Sequence, residues 1–209
     1  MHYKTNISNL IKDIELRQNP SILTINDFSE EELLKFKEAF NAAMNSGQKV
    51  IPIEIDSYGG DVYALMSMIG EFRSSKLPVA TIVQGKAMSC GAILTSFGTK
   101  GYRFMDHNAT MMIHDISSVT HGKIEEIKSS FHETERLQKK IYSMMARNCG
   151  KPDDYFTKII HDKGRADWFL DAEEALEHGI IDHIGLPVLE ISVDVNIELK
   201  YDSINSSVK

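Results

Sequence analysis

Cysteine is scarce. The 209 residues hold only Cys90 and Cys149, too few for a disulfide framework, so a reducing cytoplasm is the expected compartment. No apolar run approaches the roughly 20 residues that cross a bilayer, so no membrane is expected. The first 20 residues mix charge with isolated apolar positions and lack a signal-peptide core. No Lys or Arg block stands out against a formal net charge of -7, which argues against nucleic acid as a partner. His107, His121, His132, His161, His178 and His183 show no metal-ligand spacing, so no metal is expected. No repeat or low-complexity linker divides the chain. What is left is an ordinary globular composition, 42% hydrophobic and 25% charged, on a chain long enough for one domain with a sizeable core.

Short apolar runs alternate with helical stripes. Residues 1–20 are polar and weakly patterned, which suits an arm or docking segment. Ser21 to Ile25 is a strand. Ser29-Glu30-Glu31-Glu32 is a capping box ahead of a stripe through Leu33, Leu34, Phe36, Phe40 and Ala43. Lys49 to Ile55 is a strand whose Pro52 argues for an edge or an irregularity. A helical run with Val62, Leu65, Met66, Ile69 and Phe72 follows. The run 78–83 is a buried strand leading through a small-residue turn, 85–92, into a short helix stopped at Gly98. Strands are expected at 101–105 and 110–114. One long helix spans 122–149, on the spacing of Ile124, Ile127, Phe131, Leu137, Ile141 and Met145. Gly150 ends it and Pro152 starts the next helix at its first turn. Asp171 to Glu174 is a second capping box, 180–184 returns to strand, and 190–199 alternates like a half-buried strand. Strands alternating with helices imply an α/β fold of repeated βαβ units with parallel strands.

Candidate chemistry sits at strand ends. Ser89 lies in Gly85-Lys86-Ala87-Met88-Ser89-Cys90-Gly91-Ala92, where a strand passes into a helix start that favours developing negative charge. His114 ends the apolar strand 110–113. Asp167 precedes the second capped helix; Asp171 reads as that helix's N-cap and Asp162 as solvated. Gly59-Gly60 is a turn where backbone can approach a ligand closely. A hydroxyl, a base, a group to orient the base and backbone donors are the parts of nucleophilic acyl transfer. Taken singly, Ser89 is more often a helix cap and His114 a satisfied strand-end residue. Cys90, also at a helix start, is a competing thiol nucleophile.

Together these motifs resemble the proteolytic subunit of the Clp protease. Asp56-Ser57-Tyr58-Gly59-Gly60 is similar to that family's Asn-Ser-Pro-Gly-Gly oxyanion turn. The segment 85–92 is similar to its Gly-x-Ala-Ala-Ser-Met-Gly-Ala nucleophile segment. Met112-Ile113-His114 resembles its histidine segment, and Asp167 through Asp182 resembles the segment with its catalytic aspartate. The likeness covers about residues 20–186, in the family's order. Asp56, Tyr58, Cys90 and Asp115-Ile116 depart from its pattern.

The resemblance implies a crotonase-like α/β fold with a protruding handle helix at about 122–149. It divides the chain into an arm (1–20), a peptidase domain (21–186) and a tail (187–209). It implies serine endopeptidase chemistry: Ser89 as nucleophile, His114 as general base, Asp167 orienting the imidazole, and backbone N–H groups of Gly60 and Cys90 receiving the oxyanion beside Gly59. Stacked heptameric rings, unfolded protein or peptide substrates paired along strand edges, and an ATP-driven AAA+ unfoldase follow by the same resemblance. No nucleotide-binding loop is present, so no cofactor is expected in this chain and ATP would belong to the partner. Two alternatives stand beside it: a structural ring subunit of low activity, and a crotonase-type acyl-CoA enzyme that needs no serine nucleophile.

Overall fold

In the computed structural model, which describes residues 20–164 and 167–190, the apolar runs become strands and the striped segments helices. In chain order these are β1 (Leu23–Ile25), α1 (Glu30–Met44), β2 (Ile51–Ile55), α2 (Val62–Ser74), β3 (Val79–Val83), β4 (Lys86–Met88) and α3 (Cys90–Thr95). Then follow β5 (Arg103–Met105), β6 (Thr110–Ile113), α4 (Ile124–Asn148), α5 (Tyr155–Asp162), β7 (Trp168–Leu170), α6 (Ala172–Glu177) and β8 (His183–Ile184). A five-stranded sheet runs in the order β1-β2-β3-β5-β8, parallel throughout. A second sheet, β4-β6-β7, pairs β6 parallel to β4 and antiparallel to β7. A bridge between Ser57 and Ala87 ties the two sheets together just beyond β2. This is the expected α/β architecture.

The continuous apolar run of β3 is buried at every position, as a parallel strand covered on both faces requires. Phe36 and Phe40 of α1 pack 5.2 Å apart and each meets Phe72 of α2 at a centroid separation of 6.1 Å. Phe40 is fully buried, and burial of such a side chain contributes about 2 kcal/mol. Leu34, expected on the same stripe, is 59% exposed: it falls outside the arc that faces β1 and α2.

Several local expectations are corrected. Pro52 is in neither an edge strand nor an irregular one, because β2 pairs with both β1 and β3. The Ile51 N–H turns to β3, donating to Pro78 O, so strand alternation turns the Pro52 nitrogen toward β1. Pairing with β1 begins only at Leu23–Ile53, and the missing donor costs no ladder bond. The first capping box forms by half. Ser29 Oγ accepts from the Glu32 N–H at 3.3 Å, while the Glu32 carboxylate turns to Lys35 at 2.8 Å. The second box, Asp171 with Glu174, forms in both directions. Within the expected turn 85–92, residues 86–88 are strand β4. The short helix ends at Thr95, before Gly98, and Pro152 opens the turn ahead of α5 instead of lying in it. The strand expected over 180–184 pairs only at His183 and Ile184.

α4 divides into two halves. Leu137, Ile141, Tyr142, Met145 and Ala146 are buried. Ile124, Ile127 and Phe131, expected on the same stripe, are 71%, 42% and 59% exposed. Its end is a Schellman turn: the Gly150 N–H donates to Arg147 O and the Lys151 N–H to Ala146 O. No helix among the described residues is long and apolar enough to cross a membrane. Residues 191–199 of the expected strand and residues 1–19 of the arm lie outside the described residues.

Candidate active site

The smaller sheet ends in chemistry. β4 runs directly into Ser89, β6 runs directly into His114, and antiparallel β7 begins directly after Asp167. Met88 pairs with Met112 and Ile113 with Trp168, so the register sets the three following or preceding residues side by side at one sheet end. The Ser89 N–H extends the ladder by donating to Met112 O at 2.7 Å. His114 Nδ1 lies 4.0 Å from Asp167 Oδ1, with 26% and 56% of the two side chains exposed. That separation exceeds a hydrogen bond, as is common for catalytic pairs before substrate binds. Ser89, Cys90, Gly60 and His114 share the wall of a cavity of about 50 Å³.

Ser89 has φ 52° and ψ -116°, and among the described residues no other non-glycine has a positive φ. Such a conformation costs about 1–3 kcal/mol and persists only where its surroundings impose it. Here the Ser89 N–H is fixed by Met112 O, and Ser89 O accepts from the Ile93 N–H at 3.1 Å. Ser89 occupies the N-cap position of α3, yet its side chain makes no capping hydrogen bond. The bland role for this hydroxyl is therefore not the one it fills.

The glycine turn is built against the serine. A Cβ on Gly59, at φ +103°, would sit 2.7 Å from Ser89 Cβ and 3.2 Å from its Oγ. A Cβ on Gly60, at φ +153°, would sit 2.7 Å from Phe28 O. Ser57, which sequence reasoning left without a role, holds the turn. It is fully buried, and its Oγ accepts from the Gly59 N–H at 3.0 Å. Its N–H donates to Lys86 O at 3.2 Å, and its carbonyl accepts from the Met88 N–H at 2.9 Å. Serine's habit of bonding the backbone two residues on was the available signal. Substitution Gly59→Ala is expected to lower peptide turnover by about 100-fold, the cost of misplacing a reacting group by about 1 Å. Far-UV circular dichroism should stay unchanged, and turnover equal to wild type would contradict this packing.

Two of the departures from the family pattern are joined by one lysine. Lys86 Nζ lies 2.7 Å from Asp56 Oδ1 and 4.7 Å above the Tyr58 ring, so one cation steadies both substituted turn residues. Cys90 does more than offer a backbone N–H: its thiol donates to Gly60 O at 3.3 Å. Burial pushes that thiol up to about 11, so it stays protonated near neutrality and is a poor competing nucleophile. Among the described residues no group of His, Cys, Asp and Glu could hold a metal ion.

A family model described as Clp protease matches residues 23–187. That span holds both sheets, the strained serine, the glycine turn and the His114–Asp167 pair, and it exceeds half of the 209 residues. The chain belongs to the Clp protease family.

Proposed function

We propose that this chain is the proteolytic subunit of a Clp-type chamber protease and hydrolyses peptide bonds of unfolded polypeptide through an acyl-enzyme on Ser89. The observation that carries the reading is the shared sheet end of Ser89, His114 and Asp167. His114 takes the hydroxyl proton as Ser89 Oγ attacks the scissile carbonyl, and the N–H groups of Gly60 and Cys90 receive the oxyanion. The imidazolium then protonates the departing amine. Water, deprotonated by His114, cleaves the ester and restores Ser89. Asp167, on the Nδ1 side, holds the tautomer that leaves Nε2 free to accept.

The exposed Ile124, Ile127 and Phe131 of α4 form an apolar stripe that copies of the chain would cover in stacked heptameric rings. Extended substrate adds to a strand edge inside the chamber. ATP is used by a partner unfoldase, and the complex works in the cytoplasm.

The test is hydrolysis of a fluorogenic peptide by wild type and His114→Ala, with light scattering on the same samples. His114→Ala removes the acceptor of the serine proton and is expected to lower turnover by about 10²- to 10⁴-fold. The expected particle contains fourteen chains. Turnover by His114→Ala equal to that of wild type would contradict the assignment of the base. A well-assembled ring without turnover would favour the structural subunit.

A further inference from the structure

The catalytic reading leaves a polar cluster on the buried face of α4 unused. Tyr142 and Gln138 lie four residues apart, hence on the same helix face, and both line the cavity that Ser89 and His114 share. The Tyr142 hydroxyl donates to His114 O at 2.6 Å. Gln138 Oε1 accepts from the Ile116 N–H at 3.0 Å, and Gln138 Nε2 donates to the Asp115 carboxylate at 2.6 Å. Three consecutive residues that have just left β6 are thus tied to one helix by three hydrogen bonds.

We infer that Tyr142 and Gln138 are positioning residues that set the backbone of His114 and so aim its imidazole at Ser89. Strand pairing fixes His114 only from its N-terminal side, where Ile113 pairs with Trp168. On its C-terminal side residues 114–121 belong to no helix or strand, so without the helix the carbonyl of His114 could rotate. Asp167, 4.0 Å away and itself 56% exposed, makes no hydrogen bond to the ring before substrate binds. The backbone anchor therefore carries the orientation. Tyr142 is well suited to hold that carbonyl. It is 2% exposed, and burial, with the Asp115 charge adding, raises its phenol, so it remains a donor throughout the working pH range. The bond reaches a carbonyl, which can only accept, so its direction is fixed.

This inference rests on Ser89 and His114 acting as nucleophile and base, and the experiment separates the two. Wild type, Tyr142→Phe, Gln138→Met and Ser89→Ala are titrated with a fluorophosphonate probe to count competent sites. Peptide hydrolysis is then expressed per titrated site. Tyr142→Phe keeps the buried ring and removes only the donor. It is expected to lower kcat per site by about tenfold with KM within about twofold, and to slow labelling by the same factor, because labelling also needs the base. Gln138→Met, which keeps the volume, is expected to act in the same direction. A role confined to folding would lower the melting temperature and the number of titrated sites while leaving the rate per site unchanged. That outcome in both variants would overturn the inference while leaving the serine mechanism standing. Labelling of Ser89→Ala equal to wild type would overturn the mechanism, and the inference with it.

Discussion

Ser89→Ala is expected to reduce peptide hydrolysis by on the order of 10⁴- to 10⁶-fold, the range in which loss of a triad nucleophile falls. Stability should barely change. The hydroxyl makes no capping bond to α3, so its removal leaves the helix start as it is. The positive φ of 52° at this position is imposed by the bonds to Met112 O and from the Ile93 N–H, which alanine retains. The signature is thus an inactive, fully folded protein. Residual turnover within tenfold of wild type would mean that another group attacks the substrate. Cys90 is a poor substitute, since its thiol is 2% exposed and raised to about 11 by burial.

The second large effect is on stability. Arg103 on β5 is 3% exposed, and its guanidinium meets the Asp182 carboxylate at 2.5 Å through Nη2 and 2.8 Å through Nε. Asp182 also accepts from the backbone N–H groups of Gly101 and Arg103, at 2.7 and 3.2 Å. Arg103 Nη1 donates to Gly179 O at 2.8 Å and reaches Ser96 O at 3.4 Å. Asn148 Nδ2 donates to that same Ser96 carbonyl. The cluster therefore ties β5, the turn after α6, the C-terminal end of α3 and, through Asn148, the end of α4. Replacing both charges by well-packed apolar groups could be nearly neutral, but removing one strands the other. Asp182→Ala is expected to cost about 3 kcal/mol, near the lower end for a broken buried pair, because 14% of the Asp182 side chain remains exposed. Urea unfolding measures it, and a loss below about 1 kcal/mol would show that the pair behaves as a surface one.

The same pair sets a pH dependence. Burial opposes the charge on Asp182, but the hydrogen bonds and charge of Arg103 outweigh it and hold the carboxyl below its usual value. A depressed carboxyl contributes stability that is fully present above its unfolded value of about 3.9 and is lost as pH falls through the folded value. Wild type should therefore lose stability more steeply than Asp182→Ala below about pH 4.

Much of this was legible in the sequence because it is local. His114 directly follows a short apolar run and Ser89 lies just beyond another, 78–83, across a small-residue stretch, and a strand end is where a side chain can leave the sheet and do chemistry. Asp167 was placed ahead of the capped helix; that it also directly precedes β7 and faces His114 needs the fold. Pro52 misled because its tolerance depends on where β1 begins pairing, a fact that no residue near Pro52 encodes. Lys86-Ala87-Met88 looks like a turn by composition; it becomes strand through β6 on one side and Ser57 on the other. Arg103 and Asp182, 79 residues apart, are two among many charges in the sequence, and only the fold makes them a buried pair. The stripe of α4 was correctly helical, but periodicity cannot tell an apolar face that meets this chain's own core from one left exposed, as at Ile124, Ile127 and Phe131.

The most direct test of the central claim is intact-mass measurement with peptide mapping after fluorophosphonate treatment of wild type, Ser89→Ala and Cys90→Ala. One adduct per chain, mapped to Ser89 in wild type and in Cys90→Ala and absent from Ser89→Ala, is the predicted result. An adduct retained by Ser89→Ala, or none on a wild-type particle that hydrolyses peptide, would contradict the assignment of Ser89 as the nucleophile.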